Sequence, residues 1–293
     1  MQENYSVVGG VRLHWVEQGS GADAPFILLH GWGSSSVKWG DAIPALATQR
    51  RTIALDLPGF GRSDAPRGSY SPAWLAGSVR AFMDAEGIER AVLVGNSLGG
   101  LVGIWFAGAW PERTEALVAV APALPNDGAQ PSGKVLASVL APLIPGAGSM
   151  VVRRYMQRPA EQVVAESLQR NLVDASRATP GMVRALEEEA ARRANDPGAH
   201  RAVVASNRAM MWQLTAMRER TWAILRALKV PVLFVWGEKD GLVPVHVGRR
   251  AVEEVPGSHL VVLDDCGHNP QVEFPERFAS AVLSFARALG VAP

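Results

Sequence analysis

The sequence has little charge and almost no cysteine. Charged residues make up 19% of its 293 residues, and 29 basic against 28 acidic side chains leave a formal net charge of +1. This balance argues against nucleic acid as a main partner, because domains that bind nucleic acid are usually strongly basic. The single cysteine, Cys266, excludes an internal disulfide and favours a reducing compartment such as the cytoplasm.

The sequence also lacks a long apolar run. Glycine, proline or charged residues interrupt every apolar stretch before the roughly 18 residues that a membrane-spanning helix needs. The first six residues are polar and do not have the basic start and apolar core of a secretory signal. We therefore expect a cytoplasmic protein without a membrane span, and the sequence carries no signal for its oligomeric state.

What the chain does have is apolar content in short, regular pieces. Hydrophobic residues make up 48% of the sequence, enough for a large core. Over residues 1–125 and again over 229–293, short apolar runs alternate with helical patterns. Runs such as 26–29 and 91–94 are apolar throughout, which is typical of strands covered on both faces. The alternation predicts an α/β fold, a mostly parallel twisted sheet flanked by helices.

Residues 126–228 differ from the segments on either side. They contain no comparable strand pattern, begin with a stretch rich in proline and glycine, and continue with helical patterns rich in Ala, Glu, Arg and Met. We predict that they form a helical cap inserted into a core made of residues 1–125 and 229–293.

The sharpest motif is GNSLGG at residues 95–100, between an apolar run and a helix-like segment. It is G-x-S-x-G in the strand–turn–helix context that presents a nucleophilic serine. Gly95 and Gly99 remove side chains that would clash in a tight turn, so Ser97 is expected to stand clear of the sheet. The free N–H groups at the start of the helix favour developing negative charge, and Leu98 is the first candidate donor.

A second motif, HGWG at residues 30–33, directly follows the run at 26–29. Such a loop aims backbone donors at the same point as the serine turn. We predict that the N–H groups of Trp32 and Leu98 form an oxyanion hole. His30 is expected to hold the loop by hydrogen bonding rather than to move protons.

These two motifs and three further segments resemble the α/β-hydrolase family. The further segments are LDLPGFGRSD at 55–64, FVWGEKDGLVP at 234–244 and CGHNPQVEFPERF at 266–278, so the resemblance covers all of the chain except the predicted cap. It implies a carboxylesterase-like serine hydrolase with a helical cap. By this resemblance Asp240 looks like the acid and His268 like the base of a triad with Ser97, in the family's order. Asp127 is the one rival acid, because some related enzymes take the acid from that earlier loop.

The predicted chemistry is hydrolysis of small to medium carboxylic esters through an acyl-enzyme. A serine hydroxyl becomes an effective nucleophile when imidazole takes its proton, and no cofactor or metal is needed. The partner is then a small-molecule ester. The apolar residues Met210, Met211 and Trp212, near the end of the cap, are candidates for an acyl pocket, although residues of this kind usually pack a cap onto its core.

Three other functions stay open. The GNSLGG motif is equally similar to that of hydrolases that cleave carbon–carbon bonds in meta-cleavage products, but those enzymes usually place Trp where this chain has Asn269. Perhydrolases and cofactor-free haloperoxidases of the family also place Trp after His-Gly. A noncatalytic ligand-binding protein is the remaining alternative, because fold alone does not establish function.

Overall fold

The architecture was obtained as a computed structural model, which describes residues 1–21, 23–126, 140–144 and 147–290. The described residues form one eight-stranded sheet in the order β1-β2-β4-β3-β5-β6-β7-β8. Its strands are β1 Gln2–Val8, β2 Val11–Gln18, β3 Phe26–Leu29, β4 Thr52–Leu55, β5 Ala91–Asn96, β6 Thr114–Val120, β7 Val232–Gly237 and β8 His259–Leu263. β2 runs antiparallel to both β1 and β4, whereas every pair from β4 to β8 is parallel. The predicted mostly parallel sheet is thereby confirmed.

The central strands are buried on both faces, as their continuous apolar runs predict. In β3, Ile27 and Leu29 pack into the core on one face of the sheet, and Phe26 and Leu28 pack into the core on the other. All four side chains are 0% exposed. Because neighbouring residues of a strand point to opposite faces, an apolar run of four residues serves both cores.

The first strand has no counterpart in the sequence prediction. Of the side chains in β1, only Ser6 is buried, so the strand carries no apolar pattern. It forms because β2 supplies backbone partners along its whole length, from Gln2 opposite Glu17 to Val8 opposite Val11.

The helices of the predicted core match their patterns closely. Ser71 begins the first long one, where its hydroxyl accepts a hydrogen bond from the N–H of Trp74 at 3.2 Å and Pro72 occupies the first helical position. In chain order the described helices are α1 Ile43–Leu46, α2 Pro72–Ala85, α3 Leu98–Ala109, α4 Gly148–Met156, α5 Ala160–Asn171, α6 Pro180–Arg193, α7 Pro197–Leu214, α8 Arg218–Arg226, α9 Val245–Glu254, α10 Pro270–Glu273 and α11 Pro275–Ala288.

Residues 126–228, called the cap segment below, lie between β6 and β7 and contain α4 to α8. In the described part of this segment no strand is present, in line with its helical pattern. A separate apolar cluster joins α5 and α6 to Val272 on α10. The loop after β4 is bonded to the end of α6, where Arg193 donates to the carbonyl of Gly59 at 2.6 Å. The start of the segment, with Asp127, lies outside the described residues, and the division into core and cap stays a prediction.

None of the described helices combines the length and apolar character that crossing a bilayer requires.

Candidate active site

Ser97 occupies the turn between β5 and α3 in a strained backbone conformation, with φ of 55° and ψ of −114°. Side chains other than glycine rarely adopt a positive φ, and they do so where the surroundings enforce it. Here the N–H of Ser97 donates to the carbonyl of Val120 at 2.9 Å, and its carbonyl accepts from the N–H groups of Leu101 and Ala123, each at 3.0 Å. Three backbone bonds therefore hold the half-buried serine at the end of the strand.

The glycines of the motif permit this turn. A Cβ atom at Gly99 would overlap the carbonyl of Leu29, and one at Gly95 would overlap the carbonyl of Gly99. Gly31, in the HGWG loop, also lies close to the serine, since a Cβ there would lie 3.3 Å from Cβ of Ser97. The loop after β3 and the turn after β5 thus meet at Ser97.

The acid and base expected from the family resemblance are bonded to each other. Nδ1 of His268 lies 2.7 Å from Oδ2 of Asp240, and both side chains are buried. The other carboxylate oxygen accepts from the N–H groups of Leu242 and Val243 at 2.8 and 2.9 Å. A carboxylate accepts, so the ring donates its Nδ1 proton, and this tautomer leaves Nε2 as the free acceptor.

A network of amide side chains connects the loop of His268 to the turn of Ser97. Asn96 donates to the carbonyl of His268 at 3.1 Å and accepts from the amide of Asn269 at 2.8 Å. Asn96, next to the nucleophile, is therefore hydrogen-bonded to Asn269, next to the base. Among the described residues no hydrogen bond joins the Ser97 hydroxyl to Nε2 of His268, a bond that often tightens only when substrate is present.

Lys38 extends this network into the interior. Its ammonium group is buried and donates to Oδ1 of Asn269 at 3.4 Å. The pKa of Lys38 is lowered to about 8, mainly because the charged form loses its hydration on burial and also because of the positive charge of Arg170.

The two predicted oxyanion donors belong to the turn of Ser97 and to the loop that meets it. Leu98 is the first residue of α3, and Trp32 follows Gly31 in the HGWG loop. Neither backbone N–H donates to an acceptor within the described ranges. The indole N–H of Trp32 donates to the carbonyl of Val203 at 3.0 Å, which ties this loop to α7 of the cap segment.

Two other buried side chains near the site have structural roles. His30 accepts from the N–H of Leu57 at 3.0 Å and donates to the carbonyl of Gly31 at 2.8 Å. Burial lowers the pKa of His30 to about 4, so the ring is neutral at physiological pH and holds its loop as expected. Burial likewise raises the pKa of the Cys266 thiol, which keeps it protonated.

A buried carboxylate that the sequence analysis did not identify joins the loop of His268 to the cap segment. The side chain of Glu273, at the end of α10, is 0% exposed. One of its oxygens accepts from the N–H of Gly267 at 2.5 Å, and the other accepts from the N–H of Val173 at 2.9 Å. Arg177 adds an ion pair at 3.3 Å. These four residues are called the Glu273 cluster below.

The loop of His268 also forms direct hydrogen bonds to the cap segment. The N–H of His268 donates to the carbonyl of Asn171 at 2.7 Å, and Arg177 donates to the carbonyl of Asp265 at 2.6 Å. A Cβ atom at Gly267 would lie 2.6 Å from the carbonyl oxygen of Asn171, so the two backbones pack at a distance that only glycine allows. The sequence gives no signal for this arrangement beyond the presence of two glutamates in the segment 266–278.

The three candidate pocket residues have different surroundings on α7. Met210 is 7% exposed and belongs to the main core cluster, Met211 is half-buried, and Trp212 is 60% exposed. The structure describes no hydrogen bond or ring contact between them and Ser97. Their part in an acyl pocket stays a prediction.

Comparisons with known proteins agree with this architecture. A family model described as the alpha/beta hydrolase fold matches residues 24–275. A 2-hydroxy-6-oxononadienedioate/2-hydroxy-6-oxononatrienedioate hydrolase of Burkholderia vietnamiensis is 32% identical over 283 residues, which cover 94% of this chain and 91% of that protein.

Two solved structures are similar over nearly the whole chain. A serine hydrolase involved in carbazole degradation is 25% identical with a TM-score of 0.76, and the match covers 98% of this chain and 99% of that one. A membrane phospholipase A, described as a bacterial virulence factor, is 26% identical with a TM-score of 0.75, over 99% of this chain and 87% of that one.

Proposed function

The chain belongs to the α/β hydrolase fold family, and we propose that it is a serine hydrolase that cleaves small to medium carboxylic esters through an acyl-enzyme. Ser97 is the nucleophile, His268 the base and Asp240 the acid. The proposal is carried by the 2.7 Å bond between His268 and Asp240, which orients the ring while the loop of His268 is bonded to the turn of Ser97. The solved serine hydrolase that is similar to this chain supports a serine nucleophile, and the similar phospholipase supports an ester substrate.

The residues have complementary roles in the first half of the reaction. Nε2 of His268 takes the proton of the Ser97 hydroxyl as the oxygen attacks the ester carbonyl, and Asp240 stabilises the imidazolium that forms. The carbonyl oxygen becomes an oxyanion, which accepts hydrogen bonds from the N–H groups of Leu98 and Trp32. His268 then gives its proton to the leaving alcohol, and an acyl ester of Ser97 remains.

The second half repeats these steps with water. His268 takes a proton from a water molecule as it attacks the acyl carbonyl, and the same two N–H groups stabilise the second oxyanion. Collapse of this intermediate releases the carboxylic acid and returns the proton to the Ser97 oxygen. Besides the substrate and water, these steps use only the side chains and backbone of this chain.

A second candidate function is hydrolysis of a carbon–carbon bond next to a keto group. It is favoured by the Burkholderia relative, whose name describes a hydrolase of 2-hydroxy-6-oxo dienedioates. The same serine and oxyanion donors serve this reaction, but the leaving group is a carbanion that must receive its proton on carbon. Asn269, in the position where the carbon–carbon bond hydrolases usually have Trp, distinguishes this chain from that group and favours the ester reaction.

Covalent labelling tests the mechanism, and a panel of substrates tests which type of bond the protein cleaves. A fluorophosphonate should modify the peptide that contains Ser97, with no labelling of Ser97→Ala. The purified protein is then assayed with p-nitrophenyl acetate and butyrate and with a ring-cleavage dienone. Ser97-dependent turnover of the esters supports the ester proposal, whereas turnover of the dienone alone would replace it with the second candidate. A parent protein that neither reacts with the label nor turns over any substrate would refute both.

A further inference from the structure

Asn207 is a fully buried amide without a hydrogen-bond partner among the described residues. It lies on α7, its side chain is 0% exposed, and neither Nδ2 nor Oδ1 has an acceptor or donor within the described part of the chain. Buried polar atoms are almost always paired, because an unpaired one loses its bonds to water without replacement. An amide with both atoms unpaired therefore requires an explanation.

The other buried polar side chains of α7 do have partners. Ser206, directly before Asn207, donates to the carbonyl of Ala202 at 2.6 Å. His200 bonds to the carbonyl of Ala194 at 2.9 Å, and Oε1 of Gln213 lies 3.5 Å from the hydroxyl of Thr221. The missing partners are thus a property of position 207 and not of the helix as a whole.

Helix geometry brings the amide of Asn207 towards the predicted oxyanion loop. Val203, Asn207 and Met210 share one face of α7, since they are four and three residues apart. A helical side chain leans over the turn that precedes it, so the amide of Asn207 covers the turn that contains Val203. The carbonyl of Val203 accepts the indole N–H of Trp32, and the adjacent Gly31 comes within 3.3 Å of Cβ of Ser97 when given a Cβ atom.

We propose that Asn207 is a substrate-binding residue whose amide contacts a neutral oxygen of the substrate, above all a hydroxyl, near the scissile carbonyl. A hydroxyl group satisfies both amide atoms, because it donates to Oδ1 and accepts from Nδ2. The flanking Val203 and Met210 are apolar, which suits an uncharged group rather than a carboxylate. This inference rests on the proposed function and adds to it a class of substrate, oxygenated acyl groups.

Matched esters test the inference directly. We compare p-nitrophenyl 3-hydroxybutyrate with p-nitrophenyl butyrate, and p-nitrophenyl 4-oxopentanoate with p-nitrophenyl pentanoate, by the ratio of their kcat/KM values. In Asn207→Leu the ratio of oxygenated to plain ester should fall about fivefold to tenfold, as expected for loss of one or two hydrogen bonds. The temperature of unfolding should stay the same or rise, because no bond within the protein is lost. Asn207→Ala repeats the test without added volume.

Gln213→Leu is the matched control, because it removes a buried amide from the same helix that has a partner in Thr221. It should lower the temperature of unfolding and leave the ratio unchanged. An unchanged ratio in both Asn207 variants would overturn the inference, and so would loss of stability with equal loss of activity on both esters. These outcomes differ from failure of the proposed function, in which the parent protein hydrolyses no ester or Ser97→Ala stays active.

Discussion

Replacement of Glu273 by glutamine should loosen the loop that carries His268. The carboxylate accepts from Gly267 and Val173 on its two oxygens and pairs with Arg177. Glutamine keeps the size but turns one oxygen into a donor, which then faces a backbone N–H or the guanidinium. A hydrogen bond to a buried charge is worth about 1.5 to 3 kcal/mol, and breaking a buried ion pair costs about 3 to 5 kcal/mol. Because Arg177 keeps Asp265 as a second partner, we expect a loss near the lower limit, about 3 kcal/mol.

The same change should reduce turnover more than substrate binding. Gly267 directly precedes His268, so displacement of Gly267 moves the ring of His268 relative to Ser97. A misplacement of about 1 Å can cost roughly a hundredfold in rate. We therefore expect kcat for p-nitrophenyl butyrate to fall by about one to two orders of magnitude while KM changes little.

Thermal unfolding and steady-state kinetics measure the two effects separately. A loss of about 3 kcal/mol corresponds to roughly 6 to 12 °C in a chain of this size. Glu276→Gln is the control, because Glu276 is exposed, only three residues away, and forms no ion pair with a described residue. Normal stability in Glu273→Gln would refute the structural argument. Lower stability with normal kcat well below the unfolding temperature would show that the cluster holds the cap segment without positioning His268.

Three further substitutions probe the site. Ser97→Gly should abolish ester hydrolysis yet raise the free energy of unfolding by about 1 kcal/mol, measured by urea denaturation, because glycine relieves the strain at a φ of 55°. Trp32→Phe should lower the temperature of unfolding by a few degrees through loss of the bond to Val203 but leave kcat nearly unchanged, because the backbone N–H remains. Lys38→Met should be more stable than the parent at pH 7. The pKa of Lys38 falls from 10.5 in the unfolded chain to about 8 in the folded one, so between these pH values the folded protein has lost the proton that the unfolded chain still holds. The free energy of unfolding of the parent should therefore rise by up to about 3 kcal/mol between pH 8 and 10.5. A constant difference between the two proteins across that range would contradict this reading.

The parts of the fold that follow from the sequence are those with a local cause. The run Phe26–Leu29 predicts a central strand because both faces of that strand are buried, and Ser71 with Pro72 marks the start of α2 through its own capping bond. β1 lacks such a cause. Its side chains are mostly exposed, and its conformation depends on backbone partners in β2, which a residue pattern does not reveal.

The same distinction applies to the candidate site. The glycines around Ser97 are predictable, because a turn of this kind excludes side chains at Gly95 and Gly99 whatever the rest of the chain does. Glu273 is different, since its partner Val173 lies 100 residues away. No spacing within the segment 266–278 indicates that the carboxylate of Glu273 bonds to the cap segment. This role could therefore be found only from the folded structure.

Three features of the described residues cost stability. Ser97 has a strained backbone, the ammonium of Lys38 is buried with an amide oxygen as its acceptor, and Asn207 lacks a partner for its amide among the described residues. Ser206, directly before Asn207, is by contrast paired within its own helix. Departures of this kind from local rules are expected where function opposes stability. On this argument, relief of the strain at Ser97 and removal of the amide at Asn207 should each stabilise the protein. Each change should also remove a different property, turnover at Ser97 and selectivity at Asn207.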